Sequence, residues 1–262
     1  MSVIPRRILR KLPEDWRAAF EGVQASKITD GMSGAEVFRL GTKPAQFLKF
    51  AEANAARDLR QEIVRSAWLA HRNIRVAPVL RTHDDRRTAA MLTEALPGTS
   101  PDRSDRPKPW ILSALGRAVA RLHALPFSEC PFDESLDVRF ERARLAIARG
   151  AVDAGHFASR NRRRTPQYLL RHLTIERPPE DLVVAHGDLT LSNMVIGPDG
   201  VIGFVDCGHV GRADRYLDLS VLAEEIVDRF GSDGWAMFAR AYGAQDWDGS
   251  KAAYYNDLYE LF

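Results

Sequence analysis

The chain has 262 residues, of which 37 are Lys or Arg, 35 are Asp or Glu and 45% are hydrophobic. This is ordinary globular composition, enough for one large or two modest domains, and a net charge of +2 argues against a dedicated nucleic-acid binder. Cys130 and Cys207 are too few for a disulfide scaffold and offer no metal-ligand spacing. No apolar run is long enough to span a bilayer, and residues 1–12, with Arg6, Arg7, Arg10 and Lys11, lack a signal-peptide core, so a soluble cytoplasmic protein is expected.

To about Glu94 the chain reads as short strands interrupted by one helix. Strands are expected at 23–29, 36–40 and 46–50, separated by turns at 30–35 and 41–45. The turn with Gly31 and Gly34 is either a plain hairpin turn or a loop that brings backbone N–H groups to phosphates. Lys49 lies inside the apolar strand Phe47-Leu48-Lys49-Phe50 and either faces outward or holds nucleotide phosphates. A helix at 53–70 follows, carrying Glu62, and a Lys–Glu pair between such a strand and helix is the arrangement that holds a kinase lysine on its phosphates. Glu52 and Asp58 compete with Glu62 as partners. Strands at 76–82 and 88–93 flank the charged turn Asp84-Asp85-Arg86-Arg87, and residues 101–109 form a proline-bearing connection.

From Pro109 the pattern is helical. Residues 110–125 place Leu112, Leu115, Val119 and Leu122 on one stripe, with His123 near the end as a structural histidine. Further helices are expected at 136–149, 166–173, 215–230, 234–242 and 251–261. Between them, 182–185 is a short buried strand leading into His186-Gly187-Asp188, and the apolar runs 194–196 and 201–205 flank the turn Gly197-Pro198-Asp199-Gly200 as a hairpin. This ribbon presents Asp188, Asn193 and Asp206. Phosphoryl transfer from a magnesium nucleotide needs a carboxylate that orients the attacking hydroxyl and takes its proton, and hard oxygen ligands for the metal. Asp188 suits the first task, and Asn193 and Asp206 the second, in the order of a kinase catalytic loop and metal-binding Asp. The alternative is a hairpin whose Asp and Asn merely cap turns.

The stretches His-Gly-Asp-Leu-Thr-Leu-Ser-Asn (186–193) and Ile-Gly-Phe-Val-Asp-Cys-Gly-His-Val-Gly-Arg-Ala-Asp-Arg-Tyr-Leu-Asp-Leu (202–219) resemble the aminoglycoside 3'-phosphotransferases, and the likeness runs over nearly the whole chain. The resemblance implies an α+β, protein-kinase-like fold of two lobes. A small β-rich N-lobe would cover 1–96 and a larger, mainly helical C-lobe 97–262. It also implies ATP and Mg2+ as cofactors and transfer of the γ-phosphate to a hydroxyl, the 3'-hydroxyl, of an aminoglycoside antibiotic. It assigns 32–35 to the nucleotide loop with Ser33 facing the phosphates, Phe47 to the adenine, Thr93 and Ala95 to backbone pairing with adenine, and Glu62 to Lys49. Asp218 would brace the catalytic loop by accepting its backbone N–H groups.

For the acceptor, the resemblance implies carboxylates from the loop opened by Asp153, from Asp228, and from Glu260 with the terminal carboxylate of Phe262; His209 stands where the family often has Arg. Two departures stand out. Tyr259-Glu260 replaces an adjacent Asp-Glu, and the loop 153–164 ends in Arg160, Arg162, Arg163 and Arg164 instead of several acids. Those arginines are either a solvated face or a sign of a less cationic acceptor, which keeps open a kinase of a different small-molecule alcohol on the same fold.

Overall fold

The computed structural model describes residues 2–29, 34–244 and 246–262. Along the chain run β1 (Ser2–Val3), α1 (Arg6–Leu9), α2 (Glu14–Phe20), β2 (Gln24–Ile28), β3 (Glu36–Leu40), β4 (Gln46–Glu52), α3 (Ala53–His71), β5 (Val79–Asp84) and β6 (Thr88–Glu94). Then come α4 (Lys108–His123), α5 (Leu136–Ala148), α6 (Pro166–Ile175), β7 (Leu182–Ala185), β8 (Met194–Ile196), β9 (Ile202–Phe204), β10 (Gly211–Asp214), α7 (Tyr216–Phe230), α8 (Ser232–Tyr242) and α9 (Gly249–Tyr259). These divide into two units: residues 1–98 with 197–208, and residues 99–196 with 209–262.

The first unit holds a six-stranded antiparallel sheet in the order β1-β2-β3-β4-β6-β5. Alternation along β4 decides what each face does. Leu48 and Phe50 point to one face, into a core with Phe38, Leu40, Ala90 and Leu92. Ala51 belongs to the second cluster, with Ala56, Leu59, Ala89 and Met91, where α3 packs. Sequence patterning predicts a single helix before Glu94; the described residues there contain three. Ile4, Ile8, Leu12, Trp16 and Phe20 recur every four residues and are all buried, closing the first face of the sheet. That stripe is broken by Pro5 and Pro13, which sit at the N-caps of α1 and α2; proline is compatible with a helix start, so the breaks separate two short helices instead of abolishing one. In the returning segment, the Phe204 N–H donates to the Arg75 carbonyl oxygen at 2.8 Å, which ties β9 to the rest of this unit.

The second unit is mainly helical. One core gathers Leu136, Phe140 and Ala143 of α5, Leu169, Leu170 and Leu173 of α6, Val183 and Ala185 of β7, and Tyr255, Leu258 and Leu261 near the C-terminus. The apolar end of the chain therefore docks, as its composition suggested, while Phe262 stays 40% exposed. β10, to which sequence patterning assigned no strand, pairs antiparallel with β7, Ala213 opposite Val183. Its Arg212 and Asp214 disguise it, yet Asp214 is buried because it accepts from Lys251 at 2.5 Å and from the backbone N–H groups of Asp181 at 2.6 Å and Tyr216 at 2.8 Å. Helix α4 packs closely on α8 at Gly116, where a Cβ would meet the Phe238 carbonyl oxygen at 2.6 Å and the Ala241 Cβ at 2.8 Å. Gly116→Ala is accordingly expected to destabilise the protein by about 1–3 kcal/mol, the usual cost of overpacking, measurable by thermal or denaturant unfolding. No helix among the described residues is long and apolar enough to cross a membrane.

Candidate functional site

The residues singled out from sequence fall into two groups, one on each unit. On the first unit, the middle of β4 carries Lys49, opposite Met91 of β6 and Val37 of β3. Its ammonium lies 2.6 Å from Glu62 Oε1, and it also pairs with Asp206. Of the three acids weighed as partners, Glu62 is the one that reaches it; Glu52 pairs with Lys11. The Lys49 and Glu62 side chains are only 14% and 13% exposed, whereas Asp206 is 52% exposed. Burial acts to deprotonate Lys49, but the two carboxylates outweigh it and hold the ammonium well above its ordinary range. A persistent, tethered cation on a rigid central strand is suited to anionic oxygens such as phosphates. Asp206 has φ +56, in the left-handed region, an uncommon conformation found disproportionately at functional positions. Cys207 beside it is buried, and its thiol is pushed up by that burial, which makes it an inert filler.

Elsewhere on this unit, half-buried Phe47 faces Thr93 across the β4–β6 ladder. The Ala95 N–H donates to the Ala45 carbonyl oxygen at 2.9 Å. Ser33 lies outside the described residues.

On the second unit, β7 leads into His186-Gly187-Asp188, and the turn is braced from two sides. Asp218, fully buried on α7, accepts from the backbone N–H groups of His186 and Gly187, each at 2.7 Å, and from the His123 ring at 2.9 Å. A carboxylate only accepts, so His123 Nε2 donates, and Nδ1 faces the Tyr242 hydroxyl at 2.8 Å. Burial alone would raise the Asp218 carboxyl, but His123 and the His186 N–H hold it below the ordinary carboxylate range. From the opposite side, Arg139 Nη2 donates to the Gly187 carbonyl oxygen at 2.9 Å. Arg139 is itself buried against Glu134 at 3.2 Å. Gly187 has φ +82, and a Cβ there would lie 2.2 Å from the His209 carbonyl oxygen, so only glycine fits.

This bracing presents the Asp188 carboxylate. Asn193 Nδ2 donates to the Asp188 carbonyl oxygen at 2.8 Å and lies 3.3 Å from Oδ2, which turns the Asn193 amide oxygen away from that carboxylate. Tyr259 donates its hydroxyl to Asp188 Oδ1 at 2.9 Å. Glu225 accepts the Leu191 N–H at 2.5 Å, and burial, with Asp188 nearby, raises its carboxyl. Sequence reasoning missed Tyr259, Glu225 and Arg139 as members of this constellation. Tyr259 could have been suspected, because it interrupts an acidic C-terminal pattern; Glu225 and Arg139 lie on helices where charged residues are commonplace.

The residues assigned to the acceptor behave differently from one another. Asp153 accepts the Gly155 N–H at 2.8 Å, capping its own turn. His209 is exposed, with Arg142 Nη1 3.4 Å from its Nδ1, and Asp228 is exposed on α7. The Phe262 ring lies under the Arg139 guanidinium, 5.3 Å from its centroid. Glu260 is occupied: it accepts from the Ala158 N–H at 3.3 Å and from Asn161 Nδ2 at 3.1 Å. Arg160 pairs with Asp257 at 2.5 Å and lies 3.7 Å from Glu260, while Arg162 and Arg163 are exposed. The arginine-rich loop thus holds one ion-paired but still exposed residue, Arg160, beside the solvated Arg162 and Arg163.

An antiparallel sheet unit with a strand lysine paired to a helix glutamate, and a helical unit with a braced His-Gly-Asp turn, define a kinase-like phosphotransferase. Residues 24–254 match the phosphotransferase enzyme family, and the chain belongs to it. It is 36% identical over 248 residues to an aminoglycoside 3'-phosphotransferase of Streptomyces ribosidificus, covering 90% of this chain and 94% of that one. Among solved structures it is similar to an aminoglycoside-3'-phosphotransferase of type VIII, with a TM-score of 0.87, 34% identity and 98% of each chain covered. It is likewise similar to aminoglycoside phosphotransferase APH(3'')-Id of Streptomyces rimosus in complex with ADP and streptomycin, with a TM-score of 0.80, 29% identity, and 94% and 95% of the two chains covered.

Proposed function

We propose that this protein transfers the γ-phosphoryl group of ATP to the 3'-hydroxyl of an aminoglycoside, in the cytoplasm, where ATP is made and used. The observation that carries the reading is the Asp188 carboxylate, held at the end of a turn whose backbone is fixed by Asp218 and Arg139. Asp188 orients the acceptor hydroxyl and takes its proton as the oxygen attacks phosphorus. Lys49, tethered by Glu62, holds the nucleotide phosphates. Phe47 lies against the adenine, with Thr93 and Ala95 supplying backbone contacts, Ala95 through its carbonyl oxygen because its N–H is bound to Ala45.

Asp206 and Asn193 are assigned to magnesium on their chemistry: a carboxylate and an amide oxygen are hard oxygens, as Mg2+ prefers. When bound, the ion would neutralise charge on the phosphates. Asp153, His209, Asp228, Glu260 and the Phe262 carboxylate are assigned to the acceptor, with the carboxylates pairing with its ammonium groups.

The test is a phosphate-transfer assay with purified protein over a panel containing kanamycin, streptomycin, and neutral and acidic alcohols, the product position being read by NMR. Phosphate on the 3'-hydroxyl of kanamycin is the expected result. One observation favours a second reading, a less cationic alcohol as acceptor: Glu260, one of the assigned carboxylates, already accepts from Asn161 Nδ2 at 3.1 Å and lies 3.7 Å from Arg160. Each carboxylate withdrawn from a partly solvated ammonium pair removes about 1 kcal/mol, or roughly fivefold in affinity. Product from a neutral or acidic alcohol, with none from aminoglycosides at millimolar concentration, would decide for the second reading.

A further inference from the structure

We propose that Tyr259 is a positioning residue for the Asp188 base, a role that rests on the assignment of Asp188 above. Its hydroxyl donates to Oδ1 at 2.9 Å, and Asn193 approaches the other carboxylate oxygen, so the group is oriented from both ends. A general base works only when its oxygen sits within hydrogen-bond reach of the proton it removes, and a carboxylate free to rotate spends much of its time misaligned.

Tyr259 is 37% exposed, but the helix end that carries it is held in place. It is the last residue of α9, between Leu258 and Leu261, both with no exposed surface. The same turn is clamped by the loop at 158–161. Fully buried Asn161 donates to Asp257 at 2.7 Å and to Glu260 at 3.1 Å, and the Arg160 guanidinium closes on Asp257. The docked end of the arginine-rich loop therefore acts through α9: it sets the position from which the phenol reaches the base. Each oxygen of an ionised carboxylate has two lone pairs, so Oδ1 can accept from Tyr259 and still accept from an acceptor hydroxyl. Burial, with Asp188 next to it, raises the Tyr259 phenol above its ordinary value, so that it is a donor at neutral pH.

The experiment is Tyr259→Phe, which keeps the ring and removes the donor. Turnover is expected to fall about tenfold, the scale of one hydrogen bond to a charged group. The KM for ATP should be unchanged and the thermal midpoint should stay within about 2 °C of the parent, as for a substitution that leaves the core intact. In an Asp188→Asn background the same change should cost nothing further, because the two residues act as one unit. Turnover of Y259F equal to or above the parent's would overturn the proposal, a rise meaning that the phenol merely obstructs the base. An equal fold-loss in the Asp188→Asn background would overturn it too, placing the effect elsewhere. If Asp188→Asn alone keeps parental turnover, the base assignment itself fails, which is distinguishable from a failure of Tyr259 alone.

Discussion

Asp188→Ala is expected to lower turnover by about 10²–10⁴-fold, the range for loss of a general base, with ATP affinity near the parent's. The separation follows from where the groups sit. The cation that would hold the phosphates, Lys49, is fixed by Glu62 and Asp206 within the first unit. Asp188 belongs to the second, where Tyr259 and Asn193 meet its carboxylate. Little loss of stability is expected, because the turn carrying Asp188 is held by Asp218 and Arg139 through its backbone, not through the Asp188 carboxylate. Steady-state ADP release measured with saturating acceptor gives the turnover, and calorimetric titration with ATP gives the affinity. Parental turnover would remove Asp188 from the chemistry; a large loss of ATP affinity would mean that its main task is nucleotide binding.

How much of this could be read from residues alone depends on the range of the interaction. The Glu36–Leu40 strand is local alternation and was legible to the residue. So was the turn at 197–200 and the stripe of α4, because periodicity and turn chemistry act over a few positions. The Asp188, Asn193 and Asp206 set was legible for a different reason: three chemically demanding side chains fall within one short stretch. What was not legible depends on distant partners. β10 is a strand because β7 lies opposite it and because Lys251 neutralises Asp214. A linear reading draws one boundary near residue 96, whereas 197–208 groups with the first unit from far along the chain. The arginine run illustrates the limit most sharply. Composition marks it as unusual, but only the fold shows that Arg160, though exposed like Arg162 and Arg163, is ion-paired with Asp257.

Asp218→Ala should have the largest effect on stability. The carboxylate is fully buried and satisfies three donors at once: the N–H groups of His186 and Gly187 and the His123 ring. Alanine would leave all three facing a cavity, and breaking a buried charged network from one side costs about 3–5 kcal/mol. At about 2–4 °C per kcal/mol for a chain of this size, the thermal midpoint should drop by roughly 10 °C. The pH dependence carries the signature. Because the folded carboxyl is held below its ordinary value, its contribution is present above the unfolded pKa of about 3.9 and disappears as pH falls through the lower folded value. The gap in stability between parent and Asp218→Ala should therefore be constant near neutrality and narrow below about pH 4. A constant gap down to the lowest pH at which the parent stays folded would show that the loss comes from the cavity and not from the charge. Turnover of the variant, measured well below its melting temperature, should also fall, since the turn that carries Asp188 loses the brace on two of its backbone N–H groups.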